Sequence, residues 1–399
     1  MSSSRSEAFF ASCPRGLEAL LGEELKALGA SAPQVVPGGV AFTGDWEACY
    51  RANLWSRLAS RVLWRVGAFD YADEDDLYAG VRAQDWPSHF ALSRSLRVNV
   101  TAQKSPLKSV EFATLRIKDA VCDRFRDALG ARPNVDRARP DVRVHAFLDA
   151  RRAVLYLDTS GDALFKRGWR GPAGEAPLRE NLAAGIVCLT GWQPGEPLLD
   201  PMCGAGTLLV EAAAMARGRA PGLRRAFGFE RLANFDRALW RRLHEDAARP
   251  AARGARPLLS GRDRAARALA AARRNLAAAG VERWVRLERC DVLERSAPAP
   301  QGVLVANPPY GERLGSAEAL ARFYPALGDA LKRNFAGWRC HLFTADLRLA
   351  KLIRLQPARR VPLYNGALEC RLYEFDIVAG QHRARGAAPA ATGLPPERG

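Results

Sequence analysis

The chain has 399 residues and a mass of 43.6 kDa, with 48% apolar and 26% charged residues, which is room for two or three domains with cores of their own. No run approaches the roughly eighteen apolar residues of a membrane span, and MSSSRSEAFFASCPRG at the start lacks the apolar stretch of a secretory leader, so neither is expected. The net charge of +17 and pI near 10.1 point to a polyanionic partner.

The elements follow in chain order. Residues 15–29 place Leu17, Leu20, Leu21, Leu25 and Leu28 at helical spacing, with Gly29 as the stop. VVPGGVAFTG reads as strand, turn and strand, a helix runs through Trp46, Tyr50, Leu54 and Leu58, and a strand covers Val62–Val66. The acids of DEDDLYAGVRAQDW mark a capped helix, SLRVNVTAQ a strand, LKSVEFATLRIKDAVCDRFRDALG an amphipathic helix, and VRVHAFLDARRAVLYLDTS two strands. From about residue 185 strands and helices alternate, which predicts a parallel sheet. Asn365-Gly366 between two β-rich runs predicts a closing hairpin, hence an antiparallel last strand. The tail 380–399, almost without large apolar residues, is expected to be disordered.

The eight cysteines are never closer than 15 residues apart, which argues against a CxxC zinc or redox pair and for reduced thiols in the cytoplasm; no metal site is expected. Charge is uneven. Residues 1–160 carry 22 basic against 20 acidic residues, residues 161–399 carry 38 against 23, and residues 217–274 hold 16 Arg and 5 acids. Arginine's planar fork suits phosphate, so Arg224, Arg225, Arg241 and Arg242 are candidates for RNA contact. Arg94, Lys104, Lys108 and Lys118, around a strand–loop–helix corner, form a second candidate group.

Four strand ends carry the chemistry. In LLDPMCGAGT a strand ends at Asp200 and a Gly204-Ala205-Gly206 turn opens a helix, where small residues let a ligand approach the backbone. A dinucleotide fingerprint would need glycine where Leu209 stands. Asp263 falls where the next strand passes into a helix and could accept ribose hydroxyls; Asp291, at the third strand end, could accept an adenine amine. The fourth strand runs into Asn307-Pro308-Pro309-Tyr310. Prolines remove backbone donors, so the Asn307 side-chain oxygen and the Pro308 carbonyl form an acceptor-only pocket suited to an exocyclic amine, with Tyr310 as a stacking face.

DPMCGAGT with NPPYG resembles the class I S-adenosylmethionine-dependent amino-methyltransferases, and LKSVEFATLRIKDA, GDALFKRGWR and APLRENLAAGI extend the likeness to the THUMP-containing RNA guanine-N2 methyltransferases. Within them it is most similar to the bacterial 23S rRNA enzymes that form the N-terminal half of a fused protein. The resemblance covers residues 8–378 and implies a ferredoxin-like domain (1–66), a THUMP domain (67–160), a linker and cofactor-covering segment (161–184) and a Rossmann-like α/β methyltransferase domain (185–379). It also implies that Asp200, Pro201, Cys203, Gly204, Gly206, Asp263, Asp291 and Asn307 bind S-adenosylmethionine, and that Asn307, Pro308, Pro309 and Tyr310 are catalytic. The implied reaction is methyl transfer to guanine N2 in 23S rRNA or a ribosomal assembly intermediate. With the sequence ending at 399, the second activity of the fused protein is not expected. The alternatives are a tRNA guanine-N2, an N6-adenine DNA or a glutamine-N5 protein methyltransferase, or a non-catalytic RNA-binding assembly factor; the oligomeric state is left open.

Overall fold

The computed structural model describes residues 6–170, 178–249, 258–309 and 317–378; Tyr310, Pro177 and the 380–399 tail lie outside them. The first half runs β1 (Glu7–Ser12), α1 (Glu18–Ala27), β2 (Ser31–Val36), β3 (Gly39–Gly44), α2 (Trp46–Trp55), β4 (Arg61–Asp70), α3 (Glu74–Arg82), α4 (Trp86–His89), β5 (Leu96–Ala102), α5 (Val110–Leu129), β6 (Val142–Leu148) and β7 (Arg152–Asp158). Local chemistry sets the helix starts. Asp45 accepts the Ala48 N–H ahead of α2, Asp73 accepts those of Asp75 and Asp76 ahead of α3, and Ser109 accepts that of Phe112 ahead of α5.

These strands form one seven-stranded sheet in the order β2-β3-β1-β4-β7-β6-β5, rather than two separate ones. The joint is β4. Its first residues, Arg61 to Trp64, pair antiparallel with β1, its residues from Leu63 to Asp70 pair with β7, and the register shifts between Arg65 and Gly67. The expected boundary at residue 66 falls at that shift, inside a strand of 10 residues of which sequence reading found the first half.

The second half runs α6 (Glu180–Leu189), β8 (Leu198–Asp200), α7 (Thr207–Ala216), α8 (Arg237–Ala248), β9 (Leu259–Asp263), α9 (Ala266–Ala279), β10 (Val285–Arg289), β11 (Gly302–Ala306), α10 (Ala317–Asn334), β12 (Trp338–Thr344), α11 (Leu349–Leu352), β13 (Arg359–Asn365) and β14 (Leu368–Asp376). Its sheet has the order β10-β9-β8-β11-β12-β14-β13, parallel through β12, with β14 antiparallel to it and β13 antiparallel to β14. The chain moves outward from β8 in one direction and returns at β11 to build in the other. The crevice outside the carboxyl ends of β8 and β11 is therefore the switch point where ligands bind in such sheets.

The arginine-rich insert has a packing role that its charge did not suggest. Phe227, Phe229 and Trp240 form an aromatic cluster with Tyr50 of α2, the Phe229 ring centroid lying 4.3 Å from that of Tyr50. The Asp236 N–H donates to the Tyr50 hydroxyl (3.0 Å), and the Gly222 N–H donates to the Leu54 carbonyl (2.9 Å). Gly228 packs so tightly that a Cβ there would sit 2.5 Å from the Asp158 carbonyl oxygen. The insert thus seats the second half against the first through buried apolar surface. Its arginines are correspondingly used. Arg219 and Arg224 donate to the Ala279 and Ala278 carbonyls at the end of α9, where cations offset the helix dipole. Arg225, expected on an RNA face, instead donates to the carbonyls of Ala163, Ser160 and Asp162, and burial pulls its pKa down to about 10. It holds a turn and is half-buried.

A buried polar joint completes the seating. Glu24 of α1 accepts from the Ser56 hydroxyl and the Arg57 N–H, and the Arg57 guanidinium donates to the Arg219 carbonyl (2.6 Å). Arg57 and Arg167 flank the buried Glu211 of α7 at 3.9 and 3.4 Å. No helix among the described residues is long and apolar enough to cross a membrane.

Candidate active site

Asp200 closes β8 and is 2% exposed; its Oδ1 accepts the Met202 N–H at 3.2 Å. Burial, reinforced by nearby Asp263, raises its pKa to about 8 despite that hydrogen bond. A carboxylate buried without a cation is costly, so this position favours a positively charged ligand. Gly204 and Gly206 both take positive φ (+53° and +77°); a Cβ on Gly204 would meet nothing within 4 Å, so open space lies against the backbone there.

Asp263 lies where β9 ends, and its two carboxylate oxygens accept the Gly204 N–H (3.0 Å) and the Ala265 N–H (2.8 Å). It therefore ties the glycine turn to its neighbouring strand while keeping lone pairs for hydroxyl donors. Asn275 of α9 secures the same turn by donating to the Ala205 carbonyl at 2.9 Å. Asp291 stands two residues beyond β10 and accepts the Leu293 N–H at 2.9 Å. Pro201, Met202, Asp263, Asp291, Asn307 and Phe323 share the wall of one cavity of about 250 Å³. Asp200, Cys203, Gly204 and Gly206 are not among its lining residues. Cys203 is buried, and burial raises its pKa far above neutrality, so it remains a thiol and not a nucleophilic thiolate.

Asn307 follows β11 directly. Its Oδ1 is buried, and among the described residues no donor meets it. Such an atom is rare in a folded protein and costs about 1–3 kcal/mol of desolvation unless a ligand supplies the hydrogen bond. Pro308 is buried beside it. The Pro309 carbonyl is already taken, because the hydroxyl of fully buried Tyr324 in α10 donates to it at 3.0 Å.

Tyr324, Phe323 and Asn275 were not found from the sequence. Tyr324 belongs to an apolar helical stripe with Leu320, Leu327 and Leu331, and nothing in that spacing shows its hydroxyl aimed at a loop 15 residues earlier. Asn275 did leave a signal, a lone amide on an otherwise Leu/Ala face of α9. Removing the Tyr324 hydroxyl with Tyr324→Phe should cost about 1 kcal/mol in thermal stability. By loosening the loop it should lower kcat by about tenfold, which single-turnover assays would resolve.

Of the eight expected RNA contacts, Lys104, Lys108 and Arg241 are exposed with no ion pair among the described residues. Arg94 pairs with Asp141 (3.8 Å), which Arg231 of the insert shares (3.1 Å); Lys118 pairs with Asp119 and Arg242 with Glu47. Arg224 is exposed but holds α9, and Arg225 is withdrawn as described above.

The cavity wall carries the carboxylates of Asp263 and Asp291 beside Arg264 and, at Asn307, an acceptor that no donor among the described residues meets, whereas a pyrophosphate requires donors. With the sheet order and antiparallel β14, this wall defines a class I methyltransferase domain. Residues 167–374 match UPF0020, the RMKL-like methyltransferase domain, residues 8–63 the RlmL ferredoxin-like domain, and residues 71–158 the THUMP domain. The chain belongs to this RMKL-like methyltransferase family. It is 43% identical over 380 residues to a ribosomal RNA large subunit methyltransferase K/L of Syntrophotalea carbinolica, covering 92% of this chain and 53% of the relative. To the protein of that name from Aeromonas salmonicida it is 42% identical, covering 92% and 54%. The chain thus spans about half the length of the curated relatives it matches. Among solved structures, SMU.472, a methyltransferase complexed with SAH, superposes with TM-score 0.85 at 32% identity, covering 93% of this chain and 98% of that one. A Listeria monocytogenes protein described as an N6-adenine-specific DNA methylase gives 0.84 at 31%, covering 93% and 96%.

Proposed function

We propose that the chain transfers a methyl group from S-adenosylmethionine to the exocyclic N2 of a guanine in large-subunit ribosomal RNA. The Asn307 Oδ1 carries this reading, a buried acceptor that no donor among the described residues meets, on a residue lining the same cavity as Asp263 and Asp291. S-adenosylmethionine supplies a methyl group made electrophilic by its sulfonium. Asp200 and the glycine turn would hold its methionine end, Asp263 the ribose and Asp291 the adenine, each by accepting hydrogen bonds. Phe323 offers the base an apolar wall.

Asn307 Oδ1 and the Pro308 carbonyl would accept the two N–H groups of the guanine amine. That turns the nitrogen lone pair out of conjugation and favours the positive charge that develops on nitrogen. The C–S bond breaks with its electrons on sulfur, the N–C bond forms, and the surplus amine proton leaves to solvent. Tyr310 would stack on the base. Orientation of this kind contributes roughly 7–11 kcal/mol. No base of shifted pKa is required.

The neighbour described as an N6-adenine DNA methylase is compatible with the same acceptor pocket, because adenine N6 is also a conjugated amine. The THUMP unit and the names of the curated relatives favour RNA. Incubating the protein with labelled S-adenosylmethionine and either an undermethylated large-subunit RNA transcript or duplex DNA, then digesting to nucleosides, tests the proposal. Label in N2-methylguanosine from RNA is expected; label in N6-methyldeoxyadenosine from DNA instead, or none, would overturn it.

A further inference from the structure

A second cleft, of about 610 Å³, opens beside the cofactor rim, and Phe165, Lys166, Arg170, Arg179, Asn365 and Gly366 stand around it. Two observations place it next to the chemistry. Arg170 donates to Thr207 Oγ1 at 3.2 Å, and Thr207 begins α7 directly after Gly206 of the cofactor turn. On the far side, Arg371 of β14 pairs with Thr344 at the carboxyl end of β12, so the Asn365-Gly366 turn projects beyond that same carboxyl edge.

The charges in the cleft are sorted. Arg170 is engaged with buried Glu180 (2.8 Å) and serves as a strut. Lys166 and Arg179 are exposed, and neither has an acidic partner among the described residues. The Arg179 guanidinium lies over the Phe165 ring at 5.0 Å, which presents a flat cationic surface. Gly366 adds no side chain to the opposite wall, and a Cβ there would already be 4.0 Å from Arg179. An acidic cavity and a basic cleft therefore adjoin on one rim.

A nucleotide has this same division, with a neutral base carrying the amine and an anionic backbone. Building on the function proposed above, we propose that the cleft holds the phosphates of a single-stranded RNA segment flanking the reacting guanine, with Lys166 and Arg179 as the phosphate ligands. A single strand is favoured because the base must leave its stack to reach Asn307. The described residues 165–170 and 178–179, between the THUMP unit and α6, then do more than join domains, since they form one bank of the substrate channel.

The test uses the full chain, a fluorescein-labelled single-stranded RNA oligonucleotide with a central guanine, and the same oligonucleotide annealed to its complement. Lys166→Ala/Arg179→Ala is expected to weaken single-strand binding about tenfold and to reduce the slope of log K against log salt by about 1.4, the value for two single-strand phosphates. Calorimetric affinity for S-adenosylmethionine should stay at the wild-type value, which also reports a folded protein. Lys166→Arg/Arg179→Lys, which keeps both charges, should retain the wild-type slope. An unchanged slope in the alanine variant of a protein that methylates RNA overturns the cleft assignment alone, and an equal loss on duplex overturns its single-strand character. A wild-type protein that binds S-adenosylmethionine but methylates no RNA removes the functional reading, and the cleft proposal with it.

Discussion

Asn307→Ala lowers kcat for methyl transfer by about 10³-fold, the upper range seen when one preorganised polar contact to a reacting group is removed. The protein itself is expected to be as stable as wild type or more so by up to about 1 kcal/mol, because the substitution deletes a buried acceptor that meets no donor among the described residues. Loss of turnover with retained or raised Tm separates a reaction site from a packing site. A variant that melts early, or one that still turns over at near the wild-type rate, would remove Asn307 from the mechanism. Rapid-quench assays and thermal unfolding on one preparation give both readouts.

Asp200→Asn should weaken S-adenosylmethionine binding by about 2–5 kcal/mol, the cost of removing one partner of a buried charge pair. Its pH dependence is more diagnostic. With its pKa raised to about 8 by burial, Asp200 is protonated at neutral pH in the ligand-free protein. A cationic ligand favours the carboxylate, so binding releases a proton below pH 8 and affinity rises with pH until about 8, then levels. Stability of the free protein runs the other way. The folded state holds this proton where the unfolded chain, near its ordinary value of 3.8, has lost it, so Asp200 lowers stability as pH rises from about 4 towards 8. Asp200→Asn removes that slope and raises the ligand-free Tm at pH 8–9 relative to wild type. Calorimetry in buffers of different ionisation enthalpy and melting curves at two pH values check both signs.

Much of the site was legible because its parts are short and local. Asp200 with the Gly204–Gly206 turn, Asp263 and Asn307 each sit within a residue or two of a strand end, and strand and glycine signals are strong over that range. The Asn365-Gly366 turn and Gly280 after α9 were legible for the same reason, a residue type that tolerates positive φ where the chain must reverse. The insert's packing role was not legible because charge density is a compositional signal. Its arginines outnumber its aromatics, yet Phe227, Phe229 and Trp240 decide where it packs and Arg219, Arg224 and Arg225 are spent on carbonyls.

From the residues alone came the alternation that makes a parallel sheet, the acidic strand ends, the proline-stiffened acceptor loop and the glycine turn. All of these depend on backbone preferences a few residues long. Tertiary structure alone decided that β4 fuses the first two units into one sheet, that Tyr324 reaches back to Pro309, that Asn307 Oδ1 meets no donor among the described residues, and that Lys166 and Arg179 line one cleft with the β13–β14 turn. Each of those depends on burial and on contacts between residues distant in the chain, and periodicity carries no information about which distant partner a side chain will meet.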